Sequence, residues 1–199
     1  MKVVEIIGYK RANLGKTEAK QLRLDGNAPC VLYGGTEQIH FYSPMILFRD
    51  LVYKPDAAFV RLNIEGDEYD AILQDAQFHP TSEILLHADF LLLRNDKEIR
   101  MEIPVRFVGN SVGVQKGGKM VAKLRKLSIS ALPQDMPEFV EVDITELEVG
   151  KSFKVKDLGE KKYKILNSPS NPIVSIEVTR ALRQAEQEAA KEAKGTKKK

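Results

Sequence analysis

The feature that most constrains this chain is the recurrence of short segments of alternating polarity closed by turn residues. Residues 59–64, the turn Glu65-Gly66-Asp67-Glu68 and residues 69–77 alternate apolar and polar side chains as a β-hairpin does. Further strand-like segments lie at 3–9, 30–33, 39–42 and 85–93. Arg94-Asn95-Asp96-Lys97-Glu98 then interrupts the pattern with no apolar residue at all. Beyond it, strand-like segments return at 99–108, 120–132, 139–144, 153–155 and 174–178, punctuated by Pro133, Pro137, Pro169 and Pro172 and by a loop rich in Gly and Lys.

Only two helices are predicted, both short. The first spans 18–24, with Thr17 as its N-cap and Asp25-Gly26-Asn27 ending it. The second spans 45–53, opened by Ser43 as a cap and Pro44 at the first helical position. The expected fold is therefore mainly β, in two domains at 1–94 and 95–179, each long enough to bury a core. Residues 180–199, rich in Ala, Glu and Lys, form a charged tail that is helix-prone but has no apolar stripe to pack.

Several function classes drop out on composition. A single cysteine, Cys30, and three histidines leave no intramolecular disulfide and no Cys-rich zinc site, so no metal or cofactor is expected. No run approaches the roughly 18 apolar residues of a membrane span, and the N-terminus lacks a secretory signal pattern, which predicts a soluble, cytoplasmic chain with no membrane partner.

The net charge of +3 hides an uneven distribution. Residues 1–23 carry six basic groups against two acidic, and residues 24–94 carry four against eleven. Residues 95–179 carry fourteen against twelve, with the basic surplus concentrated in 116–126, and the last twenty carry seven against three. A chain built this way meets a polyanion through a confined face, with acidic surface elsewhere limiting promiscuous contact.

Two groups of residues invite chemistry. His79, His87 and Asp89, with Asp75 nearby, have the types for a divalent metal or a general base, but no phosphate-binding loop, activated nucleophile or second acid accompanies them. Their bland reading is a strand cap at His79-Pro80 and exposed alternates on a half-buried strand. Arg11, Lys16, Lys20 and Arg23 combine a loop with a helix N-terminus, where backbone N–H groups and the helix dipole favour phosphate. Tyr33, ahead of Gly34-Gly35, is placed either to lie against a ribose or base or to pack in the core. Gly34-Gly35 and Gly117-Gly118 read as turns, since neither sits in the strand-loop-helix setting of a phosphate cradle.

Taken in order, Arg11, Gly15-Lys16, Leu22-Arg23, the run PCVLYGG from Pro29 to Gly35, Gln74-Asp75, His79-Pro80 and LHADF from Leu86 to Phe90 resemble the bacterial large-subunit ribosomal protein family that includes the general stress protein CTC. The second half resembles its longer members through Pro104-Val105, Phe107-Val108-Gly109, Gly113-Val114, Gly117-Gly118, Leu132-Pro133, PEFVEVDITEL, Gly150, Val155 and Asp157-Leu158. The resemblance implies a non-enzymatic ribosomal component whose N-terminal β-barrel binds 5S ribosomal RNA in the central protuberance. In the second domain the basic run Lys116, Lys119, Lys123, Arg125 and Lys126 reads either as a contact for ribosomal RNA or a neighbouring ribosomal protein, or as an exposed loop and edge strand kept soluble by Lys. Carried over by position, the RNA-binding residues are Arg11, Lys16, Lys20, Arg23, Tyr33, Gln74, His87 and Asp89. The chain departs from the family at Ala19 and Gln21, where Ser and Arg are frequent, and at Phe78, where Arg is common. Competing expectations are a metal-dependent hydrolase on His79, His87 and Asp89, and a protein adaptor using the acidic stretch 24–94.

Overall fold

The first ninety-odd residues pair into a closed β-barrel. The strands are β1 (Lys2–Lys10), β2 (Asn27–Tyr33), β3 (Ile39–Pro44), β4 (Ala58–Ile64), β5 (Asp67–Phe78) and β6 (Leu85–Leu92). Helix α1 (Lys16–Leu24) lies between β1 and β2, and the one-turn helix α2 (Arg49–Val52) precedes β4. The barrel order is β1-β3-β2-β6-β5-β4, closed by a parallel β1–β4 pair running from Lys2 opposite Ala58 to Gly8 opposite Ile64. Closure leaves no open edge for another chain to extend. This computed structural model describes residues 1–159, 161–180 and 184.

Strand alternation turns one set of side chains inward. Ile6, Phe41, Val60, Leu62, Ile64, Ala88 and Phe90 are fully buried, each large apolar side chain contributing about 1.5–3 kcal/mol. The Phe90 ring sits 5.8 Å from Phe41 and 6.2 Å from Phe48, both tilted. Gly8 faces this core because nothing larger fits: a Cβ there would lie 2.6 Å from the Phe41 ring. The β4–β5 turn places Glu65 at φ 55° and Gly66 at φ 101°, the two left-handed residues of a type I′ hairpin.

The predicted helices differ in detail. α1 begins at Lys16 with Gly15 as its N-cap, since Ala19 N donates to Gly15 O at 3.1 Å; Thr17 is inside the first turn and caps nothing. Ser43 and Pro44 belong to the end of β3, with Ser43 fully buried, so Ser43 is no cap either. The segment after them is a 3-10 turn over Met45–Phe48 followed by α2, held at its start by Met45 N donating to Gly26 O at 3.0 Å.

Beyond the barrel lie β7 (Ile99–Val108), α3 (Val112–Gln115), β8 (Lys119–Ala122), β9 (Lys126–Ala131), β10 (Val140–Asp143), β11 (Ser152–Lys154), β12 (Lys164–Ile165) and β13 (Pro172–Glu177). They form a four-stranded sheet ordered β10-β7-β9-β12 and a three-stranded sheet ordered β11-β13-β8. The segment expected as one strand at 120–132 is two strands in different sheets. The chain turns between them where Lys123 N and Leu124 N both donate to Ile173 O, at 2.9 and 3.1 Å. α3 interrupts the Gly- and Lys-rich loop, capped by the buried Ser111, whose Oγ accepts from Gly113 N and Val114 N. By proximity the chain divides into one unit of 1–103, 129–138 and 162–164, and a second of 104–128, 139–161 and the residues from 165 on. The fold is thus mainly β, with a barrel and a second β-rich part; the predicted tail lies outside the described residues except for Arg180 and Gln184.

Candidate nucleic-acid interface

Helical spacing sets the first part of the site. Lys16, Lys20 and Arg23 stand at i, i+4 and i+7 of α1, one face of the helix. Lys16 and Lys20 are exposed, and Arg23 is half-buried because its Nε donates to the Leu86 carbonyl at 3.0 Å. That bond ties α1 to the start of β6. Gln21 is spent locally: its Nε2 donates to Asp25 Oδ1 at 3.0 Å.

Arg11 follows β1, with its backbone N–H on the His40 carbonyl at 3.0 Å. Its Nε and Nη2 are buried and have no acceptor among the described residues. An arginine left this way carries a desolvation cost that an external anion can relieve.

Strand pairing assembles the second part. β6 pairs with β2 in parallel and with β5 antiparallel. A break in register between Leu73 and Asp75 leaves Gln74 as the extra residue of a bulge and resets the alternation of β5. Asp75 therefore lies opposite Asp89, and Gln77 opposite His87. His87 Nδ1 lies 2.8 Å from Asp89 Oδ1, an ion pair when the imidazole is protonated. The contact is not aligned as a hydrogen bond, so Asp89 Oδ1 remains without a donor among the described residues. Tyr33 joins the face from β2: burial foremost, then the charges of Asp89 and Asp75, push its phenol above the ordinary range, which keeps it an O–H donor.

The structure thus brings together Tyr33, His87 and Asp89 on neighbouring strands, with Gln74 exposed on the adjoining bulge and Arg23 anchored at the head of β6. Gln77 and the opposition of Asp75 to Asp89 escaped sequence reasoning, because simple alternation from Leu73 points Gln74 and Ala76 outward instead. His79 is not part of this group. It organises a turn, its Nδ1 accepting from Thr81 N and Ser82 N at 3.4 and 3.3 Å. Among the described residues no three His, Cys, Asp or Glu side chains are grouped to hold a metal ion, so the hydrolase expectation has no centre to act from. No helix among them is long and apolar enough to cross a membrane.

Chemically, the site offers exposed cations for phosphates, a half-buried guanidinium with two unpaired nitrogens, and neutral and anionic strand groups able to pair with base edges or 2′-hydroxyls.

Comparison with known proteins finds two family matches along the chain. Residues 6–90 match the Ribosomal L25p family and residues 98–180 match the C-terminal domain of ribosomal protein TL5. The chain is 53% identical over 191 residues to the large ribosomal subunit protein bL25 of Cytophaga hutchinsonii, covering 96% of this chain and all of that one. It is 53% identical over 198 residues to the same protein of Amoebophilus asiaticus, covering both chains fully. To bL25 of Porphyromonas gingivalis it is 36% identical over 187 residues, 93% of this chain and 97% of that one. This chain belongs to the bL25 family of bacterial large ribosomal subunit proteins, in its long form, and its role is structural rather than enzymatic.

Proposed function

We propose that the protein binds 5S ribosomal RNA in the central protuberance of the cytoplasmic large subunit, through the barrel within residues 1–94. Lys16 and Lys20 hold phosphates from α1, and Arg11 supplies a guanidinium to a phosphate from beneath the loop. Arg23 offers its remaining N–H donors from its anchored position. Tyr33, Gln74, His87 and Asp89 meet base edges and 2′-hydroxyls, Asp89 as acceptor and the others as donors.

The observation that carries this reading is Arg11, whose Nε and Nη2 are buried with no acceptor among the described residues. Backbone contacts then fix register while the strand residues discriminate. Hydroxyl-radical footprinting of 5S ribosomal RNA with the full chain tests it. A protected tract that weakens throughout on Arg11→Ala is expected; protection unaltered by that substitution, or none with the wild-type chain, contradicts the reading.

A further inference from the structure

Residues 104–128 hold Arg106, Lys116, Lys119, Lys123, Arg125 and Lys126 and not one Asp or Glu. The same stretch walls a hollow of about 390 Å³, bordered by Phe107, Asn110, Val114, Gln115, Met120 and Ile144. All of these residues belong to the second unit.

The lining is mixed in a particular way. Val114 and Met120 are 42% and 39% exposed, large apolar side chains left in water beside cations. Asn110 and Gln115 are exposed, and their side-chain amides make no hydrogen bond to any described residue. Lys116 directly follows Gln115, and Lys119 directly precedes Met120, so a cation flanks each side of the wall.

Of the carboxylates nearby, Asp143 and Glu177 are engaged, while Glu146 and Glu148 on the adjoining loop are exposed. Asp143 accepts from Thr145 N at 2.9 Å and from the Thr145 hydroxyl. Glu177 pairs with Lys123 at 2.8 Å, and Lys123 foremost, with Lys119, holds its carboxyl below the ordinary range. Lys116 and Arg125 are exposed with no carboxylate partner among the described residues.

We propose that this hollow is a second RNA site, which seats one unpaired base of a single-stranded segment with the flanking phosphates on Lys116 and Lys119. Phe107 and Met120 provide the apolar wall that a base face needs, and Asn110 and Gln115 provide amides for its edge. An apolar peptide side chain would fill the hollow equally well, but the exposed Lys116 and Lys119 flanking the wall, with Arg125 also exposed in the same stretch, favour a polyanion. The site deepens the ribosomal RNA reading above and rests on it for the class of ligand, while using none of the same residues.

The test uses the full chain and a labelled ten-nucleotide uridine oligomer, with a duplex RNA of equal length for comparison. Arg11→Ala, Lys16→Ala and Lys20→Ala together disable the barrel face and leave this site intact. That triple variant is expected to keep its affinity for the oligomer and to prefer it to the duplex. Adding Lys116→Gln and Lys119→Gln should weaken oligomer binding at least tenfold and lower the salt slope by about 1.4, at roughly 0.7 per single-strand phosphate. Adding Gln115→Ala and Met120→Ala instead should weaken it with the slope unchanged. Oligomer binding indifferent to both pairs, or equal binding of duplex, overturns the proposal. Loss of 5S binding by the wild-type chain would strike the barrel reading alone.

Discussion

Arg23 Nε donates to the Leu86 carbonyl at 3.0 Å, so the basic helix is fastened to the strand that carries His87 and Asp89. The two halves of the proposed RNA face are thereby held in one frame: α1 contributes no buried residue of its own and needs such a strut.

Arg23→Lys separates charge from geometry. The charge survives, while a half-buried hydrogen bond worth on the order of 1 kcal/mol is lost. Amide exchange across α1 should quicken, and affinity for 5S ribosomal RNA should fall roughly fivefold with its salt slope unchanged. A fall in slope with unaltered exchange would assign Arg23 to phosphate contact alone.

Asp75 and Asp89 stand directly opposite on β5 and β6, a like-charge arrangement that destabilises a sheet. Asp89→Asn should therefore raise the stability of the protein by about 0.5 kcal/mol, read by denaturant titration. It should also lower discrimination between 5S and unrelated RNA, since the amide nitrogen presents a donor where an acceptor stood. Equal losses on every RNA would remove Asp89 from base recognition.

Stability should decline in alkali. Burial foremost, then the Asp89 charge, raises the Cys30 thiol far above its ordinary 9.0, and the Tyr33 phenol rises above 10.0 for the same two leading causes. Both groups stay protonated in the folded chain at a pH where the unfolded chain has released the proton. Their contribution is complete below pH 9 and is lost as pH rises, at about 1.4 kcal/mol per pH unit for Cys30. Unfolding measured at pH 8, 9 and 10 should show the fall beginning near 9 in the wild type and near 10 in Cys30→Ala. Parallel profiles for the two proteins would contradict this.

Gly8→Ala should destabilise the barrel by about 1–3 kcal/mol. The new methyl meets the Phe41 ring at 2.6 Å, and Phe41, with no exposure and Phe90 5.8 Å away, has nowhere to move. A thermal midpoint matching the wild type would show that the ring can shift.

The strands were legible in the sequence because each must satisfy one period: residues 59–64 and 69–77 could bury Val60, Leu62 and Ala71 only as a hairpin. The basic helix was legible through Lys16, Lys20 and Arg23, whose spacing fixes a face. Features that depend on tertiary partners were not. The bulge at Gln74, which turns Asp75 and Gln77 onto the face, depends on the register with β6. Ser43 has the chemistry of a cap, but burial in β3 overrode it. The break between β8 and β9 depends on Ile173, some fifty residues away, whose carbonyl gathers two amides. α3 had only Ser111 to announce it, within a loop whose glycines argued against a helix.

The most direct measurement is binding of the full chain to 5S ribosomal RNA and to an unrelated duplex RNA of equal length across a salt series, in the wild type and in Lys16→Ala. Salt removes nonspecific binding fastest. A preference for 5S that persists as salt rises is expected, with a slope lowered by about one unit in Lys16→Ala. Equal affinity for the two RNAs at every salt concentration would contradict it.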